Sequence, residues 1–160
     1  MTFDVSFTDN EEVDEGFRYR YVRIEAGKLD ERFRVSLEHW DAKQYDAAWR
    51  EAARDVVLHG RRSAIVSAPT DLDNRFLTLI YPLRREGERV RVQNWLASVP
   101  PVHPRLRFLS LGSQARVPTS LRKRPYAPHD LVPQSKRWSS NASEWDVDCE
   151  SVRAFAEGAR

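Results

Sequence analysis

Between Trp40 and Gly60 the apolar residues recur at three- and four-residue steps. Tyr45, Ala48, Trp49, Ala52 and Val56 fall on one face, while Lys43, Arg50, Glu51 and Arg54 fall largely off it. This spacing predicts an amphipathic helix over Asp41–His59 with both ends marked. The Asp41 carboxylate is suited to accept a bond from a free first-turn amide. Gln44, three residues on, completes a capping box, and Trp40 with Tyr45 forms a hydrophobic staple. Gly60 is able to take the left-handed conformation that stops a helix.

Runs of strand character flank this helix. Over Phe17–Ala26, Phe17, Tyr19 and Tyr21, followed by Val22 and Ile24, are interspersed with Arg18, Arg20, Arg23 and Glu25. Gly27-Lys28 is a turn, and Leu29–Leu37 sets Phe33, Val35 and Leu37 against Arg32, Arg34 and Ser36, so the two runs pair as a hairpin. After the helix, Ser63–Ala68 is a short apolar run that reads as a buried strand. A turn-rich loop over 69–74 precedes a strand Phe76–Leu83, with Pro82 near its end. A turn at Arg85-Glu86-Gly87-Glu88 leads into a return strand, Arg89–Leu96. Residues 98–136 contain seven prolines, which argue against a long helix or a central strand. They read as ordered loops with one short helix or strand around Leu106–Leu111. Ala142–Val147 reads as a short strand. Asp148 then caps a helix Cys149–Glu157, with Val152, Phe155 and Ala156 facing inward.

The predicted fold is α+β: a mainly antiparallel sheet of about five or six strands, one long helix packed on a face, and a short C-terminal helix. Residues 1–16 form an acidic, partly extended N-terminal segment, and 17–160 form a single domain.

Composition narrows the class. At 160 residues the chain is long enough for a real core, and 41% hydrophobic with 31% charged residues fits a soluble globule. No apolar run approaches the roughly 20 residues that span a bilayer, and the acidic start lacks the basic and apolar parts of a signal peptide. The single cysteine, Cys149, has no intramolecular disulfide partner and no metal-ligand spacing around it. A cytoplasmic location is expected.

Net charge is only +2, but the charges are segregated. Residues 1–16 carry Asp4, Asp9, Glu11, Glu12, Asp14 and Glu15 and no basic side chain. Residues 101–140 carry Arg105, Arg107, Arg116, Arg122, Lys123, Arg124, Lys136 and Arg137 against Asp130 alone. Such segments are either solvated surface or contacts for partners of opposite charge.

No nucleophile elbow, phosphate-binding loop, dinucleotide fingerprint or zinc-ligand spacing is present. Of the four histidines, His39 and His59 bracket the helix, and His103 and His129 lie in the basic, proline-rich stretch. Converging in a cleft, His103 and His129 would supply the base and acid of a metal-free ribonuclease. The basic residues with Tyr126 and Trp138 would alternatively form a single-strand nucleic-acid surface, although no common nucleic-acid-binding signature accompanies them.

Several pieces together point further. They are Leu37-Glu38-His39-Trp40, the helix carrying Tyr45 and Trp49, Leu79-Ile80-Tyr81-Pro82-Leu83-Arg84, Arg89-Val90-Arg91-Val92-Gln93-Asn94, and Asn141-Ala142-Ser143-Glu144-Trp145. This set resembles the CdiI-type immunity proteins of bacterial contact-dependent growth inhibition systems. The resemblance covers roughly residues 18–97 and 136–157. Its most specific pieces are the Trp40, Tyr45, Trp49 spacing, the Val-Gln-Asn strand and the Ser-Glu-Trp sequence before the last helix.

The resemblance implies a cytoplasmic protein that is not an enzyme and needs no cofactor or metal. Its partner would be the C-terminal toxin domain of a cognate CdiA-type protein, bound as a heterodimer, with neither membrane nor nucleic acid as a partner. Such toxins are often nucleases, whose sites attract phosphate and are electropositive. Carboxylates are the complementary groups, and the candidates are Glu11, Glu12, Asp14 and Glu15 at the start and Asp71 and Asp73 in the loop between strands. Ordinary solvated charge is the alternative for each. The rival reading is a nucleic-acid-binding module using the basic 105–124 region.

Overall fold

The two alternating runs that precede the helix do pair, but with more partners than their pattern announces. In a computed structural model, which describes residues 1–38, 40–67, 77–98, 114–116, 129, 132, 134, 138 and 142–159, the first sheet contains β1 (Phe3–Phe7), β2 (Glu12–Asp14), β3 (Phe17–Ala26) and β4 (Leu29–Ser36). β3 is its spine. β4 runs antiparallel along one edge, with Ala26 opposite Leu29 across the Gly27-Lys28 turn. β1 and β2 share the other edge: Phe3–Phe7 pairs with Val22–Ala26, and Glu12–Asp14 pairs with Phe17–Tyr19.

Burial corrects the facing of β3. Val22, Ile24 and Ala26 are buried against the core, while Phe17 is exposed and Tyr21 half-buried. Apolar groups stand on both faces of this strand, so alternation alone does not choose between them. The choice is made by Phe3 and Val5 of β1 and by Leu29 and Phe33 of β4, which are in register with the Val22, Ile24, Ala26 face.

The helix α1 (Ala42–Val57) begins as expected. The amide of Gln44 donates to Asp41 Oδ1 at 2.8 Å, and the amide of Asp41 donates to Gln44 Oε1 at 3.0 Å. Trp40 meets Tyr45 edge to face at 5.2 Å between ring centroids. α1 ends at Val57, with Leu58 as its C-cap, slightly before the expected His59. Two buried side chains tie it to both sheets: Tyr45 Oη donates to Ser36 O at 2.7 Å, and Trp49 Nε1 donates to Val66 O at 2.8 Å. Its buried face is wider than the predicted stripe, because Ala53, Asp55 and Val57 are also covered.

The second sheet contains β5 (Ser63–Val66), β6 (Leu77–Glu86), β7 (Arg89–Gln93), β8 (Trp95–Ser98), β9 (Gln114–Arg116) and β10 (Glu144–Asp148). β6 is central, with β5 on one edge and β7 followed by β8 on the other. β10 adds antiparallel to β7, and β9 adds parallel to β8. Pro82 therefore lies inside β6, not near its end. The ladder makes room for it: pairing with β7 stops at Leu83–Val92 and resumes with β8 at Ile80–Trp95, in the same register. The interruption falls where proline has no amide to donate.

Among the described residues there are thus ten strands in two sheets, one of four and one of six, where one sheet of about five or six was expected. The α+β class and the antiparallel character hold, apart from the β8–β9 pair. The difference has a local cause. β2 and β9 are three residues each, too short to show a period, whereas β1 does alternate, Phe3, Val5 and Phe7 against Asp4 and Ser6, but lies within the acidic start.

The final helix, α2 (Cys149–Glu157), matches its expected bounds. Asp148 Oδ1 accepts from the Ser151 amide at 2.7 Å. Val152, Phe155 and Ala156 are buried. α2 packs on α1, where Arg50 donates to Phe155 O and Arg54 donates to Ala156 O at 3.0 Å. Two cations thus satisfy carbonyls at the negative end of the helix. The core is shared by α1, α2 and the apolar faces of both sheets. Among the described residues no helix is long and apolar enough to cross a membrane. The expected loop at 69–74 and the element around Leu106–Leu111 lie outside the described residues, as does His39.

Candidate partner-binding surface

The acidic start is organised by one tight turn. Asp14 pairs with Phe17 across Glu15-Gly16, both of which have positive φ, 50° and 82°. Two such residues in a two-residue loop match the twist of the strands they join, and glycine takes this conformation without strain. The hairpin brings Glu11, Glu12, Asp14 and Glu15 together, all exposed. Asp71 and Asp73 lie outside the described residues.

Register then decides what shares a face. The outward face of the first sheet presents Phe17, Tyr21, Arg23 and Glu25 from β3, Asp30, Arg32 and Arg34 from β4, and Glu12 and Asp14 from β2, with Tyr19 on the same side but buried under Arg34. Arg34 stacks over Tyr19, 4.1 Å from the ring centroid, and Arg32 over Tyr21 at 5.3 Å. The same arginines are held by the acidic segment: Arg34 bonds to Asp14 at 3.2 Å and Arg32 bonds to Asp9. Arg18 lies 3.7 Å from Glu11 and 3.6 Å from Glu38. Farther along, Arg23 makes a two-pronged bond to Asp30 at 2.8 and 2.7 Å. These bonds hold the Asp30 carboxyl below its ordinary pKa and raise that of the Arg23 guanidinium.

The predicted carboxylates are therefore not a bare negative patch. Asp14 and Glu11 neutralise arginines, whereas Glu12 and Glu15 are in no ion pair among the described residues. The sequence reading missed the apolar part of this surface. Phe17 is 52% exposed on it, and Val13, 71% exposed, lies on the opposite face of the same hairpin. The available signal was Gly16, which marks a turn immediately before Phe17.

Two of the three most specific sequence pieces, the Val-Gln-Asn strand and the Ser-Glu-Trp sequence, meet at a second place, across β7 and β10. Glu144 lies opposite Gln93. Glu144 Oε2 accepts from Trp138 Nε1 at 2.6 Å and from Gln93 Nε2 at 3.0 Å, and Trp95 Nε1 donates to Gln93 Oε1 at 2.7 Å. Trp95 and Trp138 pack at 5.7 Å, and Arg84 lies 4.8 Å from the Trp138 ring centre. On the other side of the strand turnover, Asn94 Nδ2 donates to Glu31 Oε1 at 3.3 Å and Tyr81 Oη donates to Glu31 Oε2 at 2.7 Å, linking the two sheets. Burial, reinforced by that bond, pushes the Tyr81 hydroxyl well above its usual range and keeps it a donor. These contacts are structural. Glu144→Ala is expected to lower the unfolding free energy by about 2 kcal/mol, as two charge-assisted bonds are lost and water reaches part of the site. Urea denaturation measures it, and Glu144→Gln, which keeps an acceptor, is expected to recover more than half.

His129 is engaged with a buried carboxylate. Its Nδ1 lies 3.2 Å from Asp55 Oδ2, which also accepts from Ser63 Oγ at 3.1 Å. The serine and the histidine meet the same carboxylate oxygen, not each other, so the trio lacks the nucleophile–base contact of a hydrolase. Nearby, Gln134 holds the Arg62 backbone from both sides, accepting from Arg62 N at 2.8 Å and donating to Arg62 O at 2.7 Å. His103 and the 105–124 region, apart from β9, lie outside the described residues. Among the described residues no group of three or more metal-ligating side chains comes together.

Comparison with known proteins places this architecture. Over 99% of its length, and 98% of the other chain, it superposes with TM-score 0.71 and 19% identity on a chain of the CdiA-CT/CdiI toxin and immunity complex from Enterobacter cloacae. At that identity the likeness establishes the fold. Among curated proteins nothing matches. The family model for the CdiI N-terminal domain matches residues 35–155, from the end of β4 through most of α2. That match spans most of the chain, including the Gln93–Glu144 junction and the α1 helix, and on this ground the chain belongs to the CdiI N-terminal domain family.

Proposed function

We propose that this chain is an immunity protein that binds the C-terminal toxin domain of a cognate CdiA-type protein, one to one, and neutralises it in the cytoplasm. Membership of the CdiI N-terminal domain family over residues 35–155 carries this reading. The shared fold supports it, since the matched structure is described as a complex of a CdiA-CT toxin with CdiI. The chain acts by binding and not by catalysis, without cofactor or metal.

The toxin is a nuclease in this reading. A nuclease surface must attract phosphate, so its inhibitor gains encounter rate and specificity by presenting carboxylates. The hairpin residues Glu11, Glu12, Asp14 and Glu15 are the proposed contacts, together with Asp71 and Asp73. The protein serves competition between bacteria by protecting the cell that makes the toxin.

Co-expression tests it. The chain is produced with the toxin domain encoded immediately upstream in its genome, with one partner tagged. A one-to-one complex and restored growth of toxin-expressing cells are the expected result. Absence of both sinks the reading, and nucleic-acid binding by the basic 105–124 region then becomes the leading alternative.

A further inference from the structure

We propose that the toxin-contacting surface is the outward face of the first sheet centred on Phe17, with its hairpin, and that it docks on a cationic toxin surface carrying an apolar socket. This rests on the immunity reading and names where on the chain it acts.

Three observations converge on this face. The first is an exposed anchor. Phe17 is 52% exposed on an otherwise well-packed strand, and Val13, 71% exposed, stands on the opposite side of the same hairpin. Among the described residues the Phe17 ring stands outside the core cluster: its in-register partner is Asp14, and the core lies on the other face. Aromatic side chains flanked by polar groups are the usual dominant contacts of protein interfaces.

The second is order before binding. Arg32 and Arg34 are already fixed between a tyrosine face and a carboxylate: Arg34 lies over Tyr19 and is bonded to Asp14, and Arg32 lies over Tyr21 and is bonded to Asp9. Long side chains held in place lose less entropy on association. Tyrosine and arginine are also enriched at such surfaces.

The third is charge. Around the hairpin stand six carboxylates, Asp9, Glu11, Glu12, Asp14, Glu15 and Glu38, against four arginines, Arg18, Arg20, Arg32 and Arg34. The surplus resides at Glu12 and Glu15, beside Phe17. A second copy of the chain would bring like charges together on this face, which disfavours self-association. A cationic partner is favoured, and a toxin surface that binds nucleic acid has that chemistry.

The test uses the whole chain and the toxin domain encoded upstream. Three variants are compared with wild type: Phe17→Ala, the double change Glu12→Lys with Glu15→Lys, and Glu51→Lys as a control on the exposed side of α1. Melting temperature checks folding, and surface-plasmon kinetics give association and dissociation rates at two salt concentrations. Phe17→Ala is expected to weaken binding about 30-fold, mainly through faster dissociation. The double charge reversal is expected to slow association about 10-fold and to flatten its salt dependence. Glu51→Lys is expected to bind as wild type. If wild type binds while Phe17→Ala and the double variant, both folded, bind equally well, this surface is overturned and the immunity reading stands. If wild type itself does not bind, the immunity reading falls and the surface with it. Should Phe17→Ala fail to fold, the double variant decides by the same criterion.

Discussion

Trp49→Ala is expected to lower the unfolding free energy by about 4 kcal/mol, in the middle of the range for aromatic truncations. Trp49 is fully buried and does two jobs. Its ring packs against Phe7 at 5.3 Å, Tyr45 at 5.7 Å and Phe33 at 6.4 Å, so it fills the space where α1 meets the first sheet. Its Nε1 donates to Val66 O at 2.8 Å and so fastens the same helix to the second sheet. Truncation leaves a cavity and an unpaired carbonyl together. Urea denaturation followed by circular dichroism gives the number. Trp49→Phe separates the two jobs, since it keeps most of the packing and removes the bond; a loss of about 1–2 kcal/mol is expected. A Trp49→Ala loss under about 1.5 kcal/mol would mean that the helix is not held to the sheets through this residue.

Gly27→Ala is the next largest, at about 3 kcal/mol. Gly27 has φ of 62°, where a side chain costs roughly 1–2 kcal/mol. A Cβ there would also overlap the carbonyl oxygen of Asp146, because β10 passes directly over the β3–β4 turn. Backbone cannot yield as a side-chain tip does, so one sheet must shift against the other. Gly87 is the built-in control, with φ of 59° and open space around its Cβ position. Gly87→Ala should show the conformational cost alone. Equal losses at the two positions would mean that the close approach of β10 carries no cost.

The two glycines show what was legible. Both turns follow from the sequence, because a glycine between alternating runs marks a reversal. That Gly27 lies under Asp146 depends on 118 intervening residues and on how two sheets stack, which no local pattern records. The same division runs through the candidate surface. The acidic segment was evident from composition, but the pairing of Asp14 with Arg34 and of Asp9 with Arg32 bridges about twenty residues and needs the register of β2, β3 and β4. Phe17 was grouped with Tyr19 and Tyr21 by its period, yet the side of the strand that faces the core was set by β1 and β4.

The sequence by itself determined the elements whose causes are local. The capping box of Asp41 and Gln44, the three- and four-residue apolar step of α1, the Gly27-Lys28 hairpin and the Asp148 cap of α2 each involve residues a few positions apart, so their energies are written into short windows. Tertiary structure alone decided the rest. It divided the strands between two sheets, placed Pro82 at an interruption inside β6, buried Asp55 beside His129, brought Glu144 to Gln93 and left Phe17 outside. Those outcomes arise from registers and contacts between distant segments, where burying one apolar face settles which other face is left to solvent.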